Sequence, residues 1–315
     1  MEKVINEFLK ENEIEMTTVD SYTGKVKKIV TATNKVYFIK EKKSYENMLR
    51  ETKLLYFLQK NHIPVAVPVK GSRGECYITW NNKTYCIYPK IQGDEPEDFY
   101  SRENFDYSSI IGKAIAEYHN VLASYPYEGE YEKINILDKL LIWAMPIIEE
   151  CHLVDLESFK QLKRSWFKDL ENDLLNLPQQ IIHRDLHLGN LLFEEGQLTG
   201  IIDYDLMAIG PRIYDPCYCC IGFLNDSFYS IYRQEWLNML IQLFKAYNKS
   251  IFLTAFELKA IPYLISLIQL ILLAHHIEDG NREDVMINLQ AFRWVADHYS
   301  EMERGLKFII DDLIL

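Results

Sequence analysis

The 315-residue chain reads as an α+β protein, strand-rich in its N-terminal part and mainly helical beyond. Three observations predict this. Up to about Tyr88, short alternating apolar runs are separated by turn residues, the mark of half-buried strands. From about Glu97 onward the apolar positions recur at helical spacing. Between helical stretches lies a polar knot, His183-Arg184-Asp185-Leu186-His187-Leu188-Gly189-Asn190, bracketed by short apolar runs.

In chain order, residues 2–12 place Val4, Ile5, Phe8 and Leu9 on one face, an amphipathic helix. Strands are expected at 15–19, 25–32 and 35–40. Asp20-Ser21-Tyr22-Thr23-Gly24, with a single glycine, reads as the turn between the first two. Side chains alternate along Val36-Tyr37-Phe38-Ile39-Lys40, so Lys40 ends its strand on a defined face. Residues 45–61 read as a helix carrying Glu46 and Glu51, with Pro64 and Pro68 after its end. Residues 76–80 and 84–88 form a hairpin about Asn81-Asn82-Lys83. The break at Pro89-Lys90-Ile91-Gln92-Gly93 divides a lobe of residues 1–91 from one of residues 92–315. Helices are expected at 107–122, 136–153, 156–174, 229–247, 252–276 and 282–314. Around the polar knot, Ile181-Ile182, Leu191 to Phe193 and Ile201-Ile202 read as short buried strands, with Glu194-Glu195-Gly196 a turn.

Composition narrows the classes. A hydrophobic share of 48% suffices for a full core. The net charge of −12 disfavours nucleic acid, which requires a basic face. Six cysteines show no paired framework, and Cys217, Cys219 and Cys220 sit in an apolar stretch where cysteine packs as a small hydrophobe. A cytoplasmic protein is expected, with neither a signal pattern nor a membrane partner. The apolar run Ala260 to Ala274 is shorter than the ~20 residues of a membrane span and reads as a buried helix.

The chemistry concentrates in the knot and in Gly200-Ile201-Ile202-Asp203-Tyr204-Asp205. Asp185 and Asp203 supply two carboxylates and Asn190 an amide oxygen; a carboxylate with an amide oxygen is a hard-oxygen set suited to Mg2+. A second carboxylate, free of the metal, would orient a hydroxyl and accept its proton. The spacing follows H-R-D-x-x-x-x-N with a later Asp, a phosphoryl-transfer pattern. His183-x-Asp185-x-His187 is also a conceivable zinc-hydrolase cluster, which leaves Asn190 without a role.

These motifs resemble those of the aminoglycoside phosphotransferase and choline kinase-like family, small-molecule kinases with the protein-kinase-like fold. His187 and Gly189 complete H-x-D-x-H-x-G-N, Asp203-Tyr204-Asp205 stands where D-F-G would stand, and Gly210-Pro211-Arg212-Ile213-Tyr214-Asp215 resembles a G-x-x-x-x-D element. The resemblance implies a bilobal fold with ATP (or GTP) held between lobes. It implies that Lys40 binds the nucleotide's phosphates and that Glu51 pairs with it, Glu46 being the fallback. Asp185 is the implied catalytic residue, Asn190 and Asp203 the Mg2+ ligands, and Asp215 a support of the catalytic loop. His119 falls in an L-A-x-x-H-like pattern and reads as a packing histidine. The acceptor would be a hydroxyl-bearing small molecule such as an aminoglycoside, choline, another amino alcohol or a sugar. Acidic stretches such as Gly93-Asp94-Glu95-Pro96-Glu97-Asp98 are compatible with a cationic one. A kinase-shaped protein that binds without catalysing is the other reading from a different class.

Overall fold

The protein's structure, a computed structural model, describes residues 1–23, 26–96, 99–100, 106–151, 174 and 176–311. Two compact units emerge, one of Met1–Glu95 with Asn190–Asp205 and one of Pro96–Gly189 with Leu206–Leu315.

The first unit is built on a five-stranded antiparallel sheet of β1 (Met16–Thr23), β2 (Val26–Thr31), β3 (Val36–Lys42), β4 (Ile78–Trp80) and β5 (Lys83–Pro89), in the order β1-β2-β3-β5-β4. Helix α1 (Glu2–Lys10) lays Ile5, Phe8 and Leu9 on one face, where they meet Ile29, Tyr37, Ile39, Ile78, Tyr85 and Ile87. Because side chains alternate across a strand, Phe38, Lys40 and Lys42 point to the opposite face. Two expectations change here. Asp20, Ser21 and Thr23 pair with Lys28, Lys27 and Val26, so the expected turn is strand, and Gly24 and Lys25 lie outside the described residues. Strand β3 runs on to Lys42 because Glu41 and Lys42 pair with Tyr85 and Thr84. The β4–β5 turn is Asn81-Asn82 alone, both at positive φ (49° and 59°), the mirror-image geometry that two-residue hairpins favour.

Only Lys43 and Ser44 separate β3 from α2 (Tyr45–Lys60), whose N-cap is the Ser44 side chain accepting from the Asn47 peptide. The hairpin of β7 (Leu191–Glu194) and β8 (Gln197–Ile201) completes this unit. It turns at Glu195 and Gly196 and docks through bridges of Ile201 to Val65 and of Phe193 to Asp94.

In the second unit, β6 (Gln179–Ile182) pairs antiparallel with β9 (Ala208–Pro211). The sequence reading had no strand at β9, because Ala-Ile-Gly-Pro has neither the length nor the composition of one. Helices α3 (Tyr107–Leu122), α4 (Ile136–Asp138), α5 (Met145–Glu150), α6 (Tyr214–Ser227), α7 (Trp236–Ser250), α8 (Ala255–Glu278), α9 (Arg282–Asp297) and α10 (Tyr299–Asp311) make up most of the rest. The helix expected at 136–153 is interrupted by a π-helical stretch at Lys139–Ala144, and the one expected at 156–174 lies almost wholly outside the described residues. The run expected at 282–314 divides at His298, where φ −100° and ψ 12° leave the helical region. Thr254 and Glu257 close a capping box on α8. This helix is long and apolar enough to cross a membrane, yet two-thirds of its most apolar window is buried, and Leu264, Ile265, Leu267 and Ile268 pack in the core.

Helices α3 and α7 approach closely at Gly112, where an added Cβ would lie 2.1 Å from the Leu243 carbonyl oxygen. Backbone cannot retreat as a flexible side chain can. Gly112→Ala is therefore expected to destabilise the protein by about 1–3 kcal/mol, the usual range for overpacking, read as a lowered thermal midpoint.

Candidate active site

Five charged side chains in the first unit form a chain of alternating sign. The Lys40 ammonium lies 2.7 Å from Asp203 Oδ1 and 2.9 Å from Asp205 Oδ2. Lys42 lies 2.9 Å from Asp205 Oδ1 and 2.5 Å from Glu51 Oε2. The Tyr88 hydroxyl donates to Glu51 Oε1 at 2.8 Å. Read from helix to hairpin, the order is Glu51, Lys42, Asp205, Lys40, Asp203. The Lys42 side chain is only 2% exposed. Burial pushes its ammonium down, but Glu51 and Asp205 outweigh that and hold it above the ordinary lysine range. Burial likewise favours the neutral form of Asp205, and the two lysines overcome it, lowering the carboxyl to about 2. Lys42 and Asp205, at the middle of the chain, thus each favour their charged form.

This corrects one expectation. Glu51 pairs with Lys42, not with Lys40. Both lysines share a face of β3, but Lys42 stands next to the two-residue link into α2, so the helix brings Glu51 to the nearer one. Glu46, the fallback, is exposed in the first turn.

Asn190 and Asp203 sit at the two ends of the β7–β8 hairpin. Leu191 pairs with Ile201, and the Ile202 peptide donates to the Asn190 carbonyl at 3.1 Å, which sets Asn190 beside the residue preceding Asp203. Asp203 adopts φ +67°, a conformation unfavourable for a side-chain-bearing residue that the ladder and hairpin hold in place. One amide and one carboxylate brought together by a hairpin are the hard-oxygen set that Mg2+ prefers, and these residues fit that ion.

The second unit carries Asp185, five residues before Asn190. Its loop is braced by Asp215, which is fully buried. The Asp215 carboxylate accepts the His183 peptide at 2.7 Å, the Arg184 peptide at 2.8 Å and His119 Nε2 at 3.0 Å. His119 Nδ1 in turn meets the Tyr247 hydroxyl at 3.0 Å. These two peptide bonds hold Arg184 at φ +73°, the kink that turns the chain out of β6. Burial opposes the Asp215 charge, but the hydrogen bond and charge of His119, with help from His183, lower its pKa. Asp185 Oδ1 accepts the Tyr218 hydroxyl at 2.8 Å. His183 is fully buried with its ring against Tyr118, whereas His187 is 43% exposed. Among the described residues no three His, Cys, Asp or Glu side chains converge as a metal-binding group. Cys217, Cys219 and Cys220 are buried, and burial pushes their thiols well above the ordinary range.

The model of the phosphotransferase enzyme family matches residues 26–252. The chain belongs to that family. Among curated relatives, this family member is 26% identical over 175 residues to a homoserine kinase of Neisseria meningitidis, covering 53% of this chain and 54% of that one. It is 24% identical to a homoserine kinase of Bradyrhizobium sp., covering 74% and 69%. The chain thus spans between about half and two-thirds of the lengths of these relatives. An amicoumacin kinase solved with AMP-PNP and Ca2+ superposes with a TM-score of 0.68 at 16% identity, over 90% of this chain and 88% of that one. The fold is therefore the α+β, protein-kinase-like one.

Among the residues of this candidate site that escaped the sequence reading are Lys42, Tyr218 and Tyr247. Lys42 had a signal, since it has the same strand parity as Lys40. The two tyrosines had none among the 21 in the chain.

Removing either end of a buried charged network leaves the other uncompensated. Lys42→Met is expected to destabilise by about 3 kcal/mol, measured by denaturant unfolding. Asp215→Asn presents an NH2 to a peptide N–H and is expected to lose about 3 kcal/mol at neutral pH. Because Asp215 has a lowered folded-state pKa, its contribution is complete above the ordinary carboxylate value of about 3.9 and drains as pH falls below it. The gap between wild type and Asp215→Asn should therefore narrow on acidification below about pH 4.

Proposed function

We propose that this chain transfers the γ-phosphoryl group of ATP (or GTP) to the hydroxyl of a small amine-bearing alcohol. The observation that carries the reading is the ladder ending on Asp203, with Asn190 fastened beside it by the Ile202 peptide. Lys40 is the cation for the nucleotide phosphates, and Glu51 contributes indirectly, by holding Lys42. Asn190 and Asp203 would hold Mg2+, which would supply neutralisation of phosphate charge. Asp185 orients the acceptor hydroxyl and takes its proton, while Asp215 keeps the loop that presents it in shape. In phosphoryl transfer of this kind positioning and charge neutralisation supply most of the catalysis, which suits a site of rigidly held carboxylates and lysines.

The acceptor class rests on the curated relatives named homoserine kinases. Homoserine, an amino acid ending in a primary alcohol, therefore heads the candidates, ahead of simpler amino alcohols, choline and aminoglycosides. Six free cysteines accord with a cytoplasmic location.

The test is Mg2+-dependent ADP release over a panel of homoserine, amino alcohols, choline, sugars and aminoglycosides. Turnover confined to one class, falling about a thousandfold in Asp185→Asn, is the expected result. Asp203→Ala retaining full Mg2+-dependent turnover would sink the metal assignment. Binding of nucleotide with no turnover on any acceptor would favour a silent binding protein instead.

A further inference from the structure

Helix α6 touches the catalytic loop along a single stripe. Asp215, Tyr218 and Gly222 recur at intervals of three and four residues, so they line one helical face. Asp215 takes the backbone of His183 and Arg184. Tyr218 takes the Asp185 side chain, and the Gly222 position lies against His187, whose Cβ would be 3.4 Å from an added Cβ. One helix thus grips the loop by its peptide groups, by its acidic side chain and by the following histidine.

Resting on the phosphotransfer reading above, we propose that Tyr218 is a positioning residue that holds the Asp185 carboxylate in the orientation required to align the acceptor hydroxyl. A carboxylate on a loop can rotate about its last torsion, and alignment of the attacking oxygen is lost when it does. The Tyr218 hydroxyl, 2.8 Å from Oδ1, removes that freedom. The tyrosine is itself held, stacked on Tyr214 with ring centroids 6.0 Å apart and planes 16° from parallel. His187 contributes from the same side. The Gly189 peptide donates to its Nδ1 at 3.2 Å, and its Nε2 lies 3.9 Å from Asp185 Oδ1, so the ring borders the carboxylate while the Tyr218 hydroxyl bonds it. Burial and the Asp185 charge both push the Tyr218 phenol far above its ordinary range, so it remains a donor at every working pH.

The deciding variant is Tyr218→Phe, which keeps the ring and its stack and deletes only the hydroxyl. On the acceptor identified by the panel, kcat should fall about tenfold, the worth of one orienting hydrogen bond, with nucleotide and acceptor KM and the thermal midpoint held near wild type. Independently of turnover, protein labelled with 3-fluorotyrosine should show a 19F resonance that disappears in Tyr218→Phe and shifts in Asp185→Ala. A resonance unmoved by Asp185→Ala, or a Tyr218→Phe enzyme with wild-type kcat, overturns the proposal. A Tyr218→Phe protein that loses thermal stability and nucleotide binding together with kcat overturns it as well, since the residue is then structural. A resonance that moves in a protein active on no acceptor overturns the phosphotransfer reading instead, a failure distinct from loss of the contact.

Discussion

Strand β3 presents two lysines on one face, and the carboxylates of Glu51, Asp203 and Asp205 are arranged around them. A buried ammonium requires anions, and Lys42 finds two, one on α2 and one after β8. A buried ion pair adds little net stability over a well-packed apolar pair, but breaking it is costly. Its consequence is therefore specificity of arrangement. The pairing ties helix, sheet and hairpin end to one register, and Lys40 extends the same chain to Asp203. Tyr88 caps the far end on Glu51, so both carboxylate oxygens at the helix end of the ladder are paired.

The second unit solves a similar problem with a single carboxylate. Asp215 is fully buried and ionised, and such a group is tolerable only when surrounded by donors. Two of those donors are the peptide groups flanking the kink at Arg184, so the condition that keeps Asp215 charged is the same one that shapes the loop bearing Asp185. His119 and Tyr247 complete the shell and connect it to α3 and α7. The close helix contact at Gly112 belongs to that same pair of helices, so packing of the helical core and geometry of the loop bearing Asp185 are linked through α3 and α7.

Much of the fold could be read in advance where local patterning and tertiary packing agree. The amphipathic α1, the hairpins at Asn81-Asn82 and Glu195-Gly196, and α3 follow from apolar period and turn chemistry. Failures fell where strand pairing or a local break, and not the apolar period, decides. Asp20 to Thr23 look like a turn alone but pair with β2 once β2 is present. Ala208–Pro211 is a strand only because Gln179–Ile182 lies beside it. The break at His298 interrupts a helical period that continues on both sides, so the pattern alone could not reveal it.

The sequence by itself determined the chemical inventory: the family, the order of Asp185, Asn190, Asp203 and Asp215, and the face of β3 that bears Lys40. These follow from spacing and from the two-residue period of a strand, which are properties of the covalent chain. Tertiary structure alone decided that Glu51 meets Lys42 instead of Lys40, and that Tyr218 reaches Asp185 across 33 positions. How a helix seats laterally on a sheet, or on a loop, depends on how side chains from distant segments pack, and no local pattern records it.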